Sequence, residues 1–512
     1  MRWTSKRTAL EQKVAARLRS ASKFYRFLWE IRDELFADGF EDVLLESYQP
    51  RGQEPCPPAM LAMVLLMQRY DGLSDADAVD AAENDRRWQL VLGTLDQETA
   101  PFGQGSLVRF RTRMIAEDLD KKLVERTVAL AKKSGAFGWK KLRVALDSSP
   151  LHGAGRVEDT WNLIGRAMAK VVHAVSLMLQ LEEAEVIEQA KLSVLSASSF
   201  KAALDIDWTS EEEQDAALQM LLAQVSRLET WIERRAQQQA AKPPLKDALE
   251  LLERVVVQDL DPEPPDGKPH IADDVAADRV ISIGDPQMRH GRKSKSKRFD
   301  GYKRHIGIAH GFVIATAIEP ANVPEYVPAK RLLAQAGRHG AIQSLDIDRG
   351  YLPSPAVHAL HRSGVTVRSR AWRTGRQDGL FSKDDFRIDL RRRLVICPAG
   401  KSTNIPVSGR CSFSVADCSR CRLKPKCTTF VRRSVRVHAI EDLLLQLRKN
   451  VRTRRGRAEL RERTPVEHRL ARIGAIQGPK ARFRGSRKNE LDLNRAAAVA
   501  NLQALAALRA AA

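Results

Sequence analysis

The sequence predicts a mixed α/β core preceded by a helical N-terminal domain and interrupted by a long helical insertion. Apolar residues recur at helical spacing through residues 1–140, and short alternating stretches after them read as strands. Between the first strand and the next lies a charged, alanine-rich run, residues 165–278, of helical character.

The totals limit the function. At 512 residues and 43% hydrophobic content the chain is long enough for several domains with real cores. Its net charge of +21, from 85 Lys and Arg against 64 Asp and Glu, favours a polyanionic partner, of which nucleic acid is the commonest. The longest apolar run, Met60 to Met67, is too short to span a bilayer. The N-terminus lacks an apolar signal core, so the expected location is cytoplasmic.

In the helical domain, 1–140, Phe24 to Ile31 and Met60 to Tyr70 carry the helical spacing, with Pro57 and Pro58 as a helix start. Asp71-Gly72-Leu73-Ser74-Asp75 predicts a turn and N-cap for a helix through Ala82. Gln104 to Arg113 opens another, with Ser106 as its expected cap. Arg109, Arg111 and Arg113 are spaced by two, either a solvated face or a set of phosphate contacts.

The core begins at 141–164. Leu142, Val144 and Leu146 alternate with Arg143 and Ala145, and the run ends in Asp147-Ser148-Ser149-Pro150, so an acid is expected at a strand's exposed end. There a carboxylate can hold a metal ion or act as a base at less desolvation cost than in a buried strand. A glycine-containing loop, Gly153-Ala154-Gly155, leads to a helix capped by Asp159 or Thr160. The insertion is broken at Ala241 to Pro244 and Asp261 to Gly267. The core resumes over 279–370, with strands expected at Arg279 to Asp285, Ile306 to Ala309 and Gly311 to Ile318. A helix follows over 327–336, then a strand from Ala341 to Ile347 ending in Asp348-Arg349-Gly350, a helix from Pro353 and a strand at Val365 to Val367. Two acids thus end two separate strands. Asp348 also suits a turn, and Asp346, on the same strand face, is its local rival.

Arg289 to His305 holds eight Lys and Arg against one Asp, a density that favours phosphate binding over a solvated loop. Five of the six cysteines fall between Cys397 and Cys427, in the segment 371–440. Cys418 and Cys421 form a C-x-x-C, Cys427 follows, and Cys397 or Cys411 could supply a fourth thiolate to a tetrahedral zinc; the alternative is a set of buried or free thiols. In the last part, 441–512, Thr464, Pro465 and Glu467 make a helix start with a capping box, in which the Glu serves its own helix. Arginine-rich stretches at Arg452 to Arg457 and Arg482 to Lys488 have few aromatics and point to phosphates rather than stacked bases.

Taken in order, several stretches resemble the DDE transposases of bacterial insertion sequences. They are Ser106-Leu107-Val108-Arg109-Phe110-Arg111, Leu146-Asp147-Ser148-Ser149-Pro150-Leu151 with Gly153-Ala154-Gly155, and Lys295 to Lys303. Asp346-Ile347-Asp348-Arg349-Gly350-Tyr351, Cys418-Ser419-Arg420-Cys421 and Val466-Glu467-His468-Arg469-Leu470-Ala471 follow, then Phe483-Arg484-Gly485 and Asn494-Arg495-Ala496-Ala497. The resemblance implies an RNase H-like catalytic core in which Asp147, Asp348 and Glu467 hold two Mg²⁺ or Mn²⁺ ions for phosphodiester cleavage and strand transfer. It implies DNA as partner, both the element's terminal inverted repeats and the target, and a homodimer on DNA. The residues expected to hold that DNA are Arg109, Arg111, Arg292, Lys293, Lys295, Lys297, Arg298, Lys303, Arg463 and Arg484. Cys397, Cys418, Cys421 and Cys427 are the expected zinc ligands. Within the last motif Arg463 and Glu467 fit the relatives' pattern, while Leu460 and Gly474 stand where relatives carry Tyr and Lys. The other readings are a nuclease of the same fold without strand transfer and a DNA-binding protein that has lost catalysis.

Overall fold

The computed structural model describes residues 3, 7–19, 22–48, 56–197, 200–261, 267, 269–272, 274–294, 296–372, 374, 379–461 and 464–511. Its centre is a sheet of β1 (Lys141–His152), β2 (Arg289–Arg292), β3 (Arg298–Ala309), β4 (Phe312–Pro320), β5 (Ala341–Asp346) and β6 (Thr366–Arg368). β3 runs antiparallel to β1 and forms a hairpin with β4 through His310 and Gly311, both at positive φ. β5 lies parallel to β1 on its other side, and β6 parallel to β5. Across the sheet the order is β4–β3–β1–β5–β6, with β2 paired to the first residues of β3.

β4 is buried from Phe312 to Ile318 on both faces, as its unbroken apolar run requires. The helices Ala329–Gly337 and Ser486–Ala511 pack on it. The second of these, the C-terminal helix, also packs on the N-terminal helices Pro58–Asp71, Gln104–Ala116 and Leu119–Lys133. One hydrophobic core therefore runs from Ala15 to Leu505. Its seam carries buried polar pairs: Arg69 and Arg495 both bind Asp492, at 3.1 and 2.7 Å, and Asn494 donates to Asp120 at 2.7 Å. Buried charges persist because each is paired.

Local signals place most helix starts. Pro58 opens Pro58–Asp71, which ends on left-handed Gly72, and Ser74 caps Asp75–Asn84 in a capping box with Asp77. Ser106 is not a cap: Gly103 holds that position and the helix begins at Gln104.

The insertion forms its own core from helices including Thr160–Leu179, Glu211–Arg235 and Leu245–Gln258, joined by Val280 and Ile283. No strand forms over 279–285, against expectation. The backbone there is satisfied by side chains instead: Val280 N–H donates to Gln258 at 2.8 Å and Ile283 N–H to Glu158 at 2.9 Å. The strands that follow come as the β2–β3 hairpin, so β3 starts at Arg298, well before Ile306.

The cysteine-containing segment is a third small core, built on β7 (Arg387–Asp389), β8 (Leu394–Ile396) and β9 (Ser402–Asn404) with the pair β10 (Arg410–Ser412) and β11 (Ser434–Arg436). No helix among the described residues is long and apolar enough to cross a membrane.

Candidate active site

β1 does not stop at its acid. It runs on to His152 against β3, with Asp147 opposite Ile306, while its pairing with β5 ends at Ala145 opposite Asp346. Asp147 and Asp348 each lie two residues past that last pair, Asp147 within β1 and Asp348 beyond the end of β5. Both carboxylate-bearing residues thus follow the point where β5 leaves β1. Asp147 is 8% exposed and accepts from the Ser148 N–H at 2.8 Å, whereas Asp348 is exposed and precedes a 3₁₀ turn, Arg349–Tyr351.

Asp346 and Asp348 differ in burial and position. Asp346 is buried and bound by Arg143 Nε at 2.7 Å, with Arg368 Nη1 at 3.7 Å. Its carboxylate faces two cations within the sheet, whereas Asp348 is exposed beyond the end of β5.

Glu467 lies in the first turn of the helix Thr464–Gln477, exposed, on a helix that packs on β1. That helix includes Thr464 itself, so the expected cap at Thr464 falls inside it, and the two residues before it lie outside the described residues. Val466, Leu470 and Ile473 are buried, and Arg472 reaches Gln503 at 2.8 Å. Among the described residues no three His, Cys, Asp or Glu are grouped closely enough to hold one metal ion, so Glu467 does not close on the two aspartates.

Arg304 fixes this helix. It lies on the same face of the sheet as Asp147, 5% exposed, and donates to Ser149 Oγ at 2.7 Å, Pro150 O at 3.2 Å, Gln477 Oε1 at 3.1 Å and Gly478 O at 3.0 Å. Burial pulls its pKa down to about 10. Gly474, seven residues on from Glu467, sits beside this guanidinium. On the opposite face His305 is fully buried and its Nδ1 bonds Tyr351 Oη at 2.8 Å. Burial, then Lys303 and Arg331, pulls His305 down to about 3 and keeps it neutral.

The basic run divides between surface and interior. Arg292, Lys293, Lys297 and Arg298 are exposed around the tip of the β2–β3 hairpin. Arg289, Lys303 and Arg304 turn inward, contrary to a uniformly DNA-facing run: Arg289 pairs with Asp278 at 2.7 Å and Lys303 donates to Val323 O at 2.8 Å. Arg109 and Arg484 are exposed, the latter lying over Gly284. Arg111 is taken up by an ion pair with Asp75, and Arg113 stacks on Tyr48 with its guanidinium 4.2 Å from the ring centre. An expected phosphate contact at Arg111 is thus an internal tie between helices. Lys295 and Arg463 lie outside the described residues.

Cys397, Cys418, Cys421 and Cys427 line one small cavity, with Lys401, Lys424 and Arg433 around it. Cys411 is buried elsewhere, on β10, which leaves Cys397 as the fourth thiol. All are free thiols, and they do not form a closed metal-holding group in this arrangement. Burial raises the Cys427 thiol, as do Cys418, Cys397 and Cys421, against Arg433.

Residues 275–502 match the model of the Transposase DDE domain, and residues 14–113 that of the Transposase domain (DUF772). Both stretches therefore define a transposase, one through the N-terminal helices and the other through β2 to the C-terminal helix; Asp147 lies between them. The chain belongs to the DDE transposases of insertion sequences. No curated protein and no solved structure matches it.

Proposed function

We propose that this transposase binds the terminal inverted repeats of its element, hydrolyses phosphodiester bonds at the ends and joins the freed 3′-hydroxyls to target DNA. The observation that carries the reading is the level placement of Asp147 and Asp348 where β1 and β5 part. The strand order β4–β3–β1–β5–β6, three antiparallel strands followed by two parallel ones, supports an RNase H-like core. Glu467, at the exposed start of a helix on β1, is the third acid of the reading.

Hard oxygen donors from carboxylates fit Mg²⁺ or Mn²⁺, and Asp147, Asp348 and Glu467 would hold them. Bound there, two ions would activate the attacking oxygen and stabilise the leaving one. The chain's own residues do the rest. The Ser148 N–H orients Asp147, Arg304 fixes the Glu467 helix to β1, and Asp346 is kept out of the reaction by Arg143. Arg292, Lys293, Lys297 and Arg298 at the hairpin tip, with Arg109 and Arg484, would bind phosphates. Joining two element ends calls for two chains, so the working form is a homodimer on DNA, in the nucleoid. Four thiols around one cavity suit a soft-ligand zinc site, in which Cys397, Cys418, Cys421 and Cys427 would hold the ion that fixes this segment.

The test is Mg²⁺- or Mn²⁺-dependent cutting of a DNA fragment carrying the inverted repeat, with labelled target DNA present. The native chain cuts and yields joined molecules, and Asp147→Ala binds the DNA without cutting. Cutting by Asp147→Ala at the native rate, or binding without cutting by the native chain, rejects the assignment; cutting with no joined product reduces it to a nuclease.

A further inference from the structure

The loop between β4 and the helix Ala329–Gly337 carries Glu325, whose carboxylate contacts a neighbour of each aspartate. Its Oε1 accepts a hydrogen bond from Ser148 Oγ. Ser148 follows Asp147 in β1 and points to the opposite face of the sheet, while its N–H donates to Asp147 Oδ1 at 2.8 Å. The same carboxylate lies on Gly350, two residues beyond Asp348. A methyl group at 350 would overlap Glu325 Oε2 and stand 2.9 Å from its Cδ and 3.1 Å from its Cβ.

Gly350 is not required by its backbone, which has no positive φ; it lies in the 3₁₀ turn that follows Asp348. The three nearest atoms to a methyl group there all belong to Glu325, which would have to shift to admit it. Lys303, half-buried on β3, has Glu325 as a neighbouring opposite charge.

We infer that Glu325 is a positioning residue for the transposase reaction, a wedge that fixes the stretch of β1 bearing Asp147 through Ser148 and the turn after Asp348 through Gly350. The inference rests on Asp147 and Asp348 being the acid pair. Glu325 works from the far side of the sheet, through hydrogen bonding and contact, and takes no part as a ligand. Because Gly350 exists to admit Glu325, the two positions are energetically coupled: a methyl group at 350 does harm only while the Glu325 side chain is there.

The test is a double-mutant cycle in the full-length chain with Glu325→Ala, Gly350→Ala and their combination, together with Glu325→Gln. Two quantities are read: Mn²⁺ affinity, from the electron paramagnetic resonance signal of free Mn²⁺, and the thermal unfolding midpoint. Glu325→Ala and Gly350→Ala are each expected to weaken Mn²⁺ binding about tenfold, since one misoriented carboxylate is roughly one lost charged hydrogen bond. The double variant is expected to be no weaker than Glu325→Ala, where independent sites would give about a hundredfold. Glu325→Gln keeps an acceptor for Ser148 and is expected to stay within about threefold of native.

A hundredfold loss in the double variant overturns the wedge. So does a Gln variant as impaired as the Ala variant, which would make Glu325 a ligand. Native Mn²⁺ affinity in all four also overturns it. A native chain with no Mn²⁺ affinity rejects the acid pair and with it the positioning role, and the unfolding midpoints identify this case, because the 325–350 coupling then persists without any metal effect.

Discussion

Replacing Arg304 separates an internal strap from a DNA contact. In Arg304→Met four acceptors lose a charged donor: Ser149 Oγ, Pro150 O, Gln477 Oε1 and Gly478 O. At about 1.5 kcal/mol net for each hydrogen bond to a charged group, the loss is roughly 6 kcal/mol. Against it stands relief of the buried charge. A pKa pulled from 12.5 to about 10 corresponds to ~3 kcal/mol at about 1.4 kcal/mol per pH unit. Methionine fills the aliphatic space of the arginine stem, so the net is a destabilisation of about 3 kcal/mol. Arg304→Lys keeps the buried charge but cannot fork to four acceptors, and is expected to be no more stable than the Met variant. Because the chain holds three separate cores, a single global unfolding energy is not well defined, and hydrogen–deuterium exchange is the suitable assay. Peptides covering 464–485 and 147–152 should exchange roughly a hundredfold faster, with the insertion unchanged. Native-like protection in Arg304→Met, or a Lys variant that restores both protection and DNA affinity, would refute the strap and return Arg304 to the phosphate-binding set.

Four further outcomes follow from the structure. Alanine at Arg292, Lys293, Lys297 and Arg298 together should weaken DNA binding and flatten its salt dependence by a slope of about 3 to 4 in log–log binding measurements, if all four meet phosphates; an unchanged slope removes the hairpin from the interface. His305 stays neutral in the folded chain down to about pH 3, whereas an unfolded histidine takes up its proton near pH 6.5. Its stabilising contribution is therefore complete above pH 6.5 and is lost as pH falls towards 3, so His305→Gln should flatten the fall of the unfolding midpoint across that window, and an unaltered pH profile would contradict it. Purified protein should contain about one zinc per chain, lost in Cys421→Ser, by elemental analysis; a chain that holds none after purification in zinc-supplemented buffer rejects the zinc assignment. Arg143→Met should leave Asp346 buried beside Arg368 alone and speed hydrogen–deuterium exchange in peptides covering 141–146 and 341–346 roughly thirtyfold, whereas an effect confined to DNA affinity would contradict the pairing.

How much of this was legible in the sequence depended on how local the cause was. The alternation in Leu142 to Leu146 and the strand from Ala341 placed two acids on strand ends, because period-two burial is a property of neighbouring residues. The extent of β1 beyond Asp147 was not legible, since its continuation depends on β3, whose pairing residues lie past the insertion. The choice between Asp346 and Asp348 turned on Arg143, 203 residues away. The inward turn of Lys303 and Arg304 had one available signal: Ile306-Gly307-Ile308-Ala309 is apolar without alternation, the mark of a strand covered on both faces, and extending that reading backwards would have buried its basic neighbours too. Glu325 had none, for it lies in a loop whose pattern resembles ordinary connection. Gly350 was open to misreading as a turn glycine, because a close approach by a distant side chain leaves no trace in local sequence.

Three of the stretches that carried the family resemblance, around Gly153-Ala154-Gly155, Asp300 to Tyr302 and Gly485, turn out to be parts of one contact. Gly153 N–H bonds Asp300 O at 2.8 Å, and a side chain on Gly301, at φ 141°, would overlap Gly153 N and Leu151 O. A methyl group on Gly155 would stand 2.8 Å from Asp285 Cβ and 2.8 Å from Met288 Sδ. Asp285 is fully buried and binds both Tyr302 Oη, at 2.5 Å, and the N–H of Gly485, at 3.0 Å. The end of β1, the return from the insertion, the start of β3 and the approach to the C-terminal helix therefore meet at one point, packed too closely for anything but glycine. The insertion leaves and re-enters the core through this knot, with Glu158 N–H bonded to Ile281 O at 3.0 Å. Since its two ends are pinned side by side, the length between them adds little closure entropy and transmits little strain to β1. A separate hydrophobic core can then sit between the first acid and the second in sequence while the strands that carry them remain neighbours.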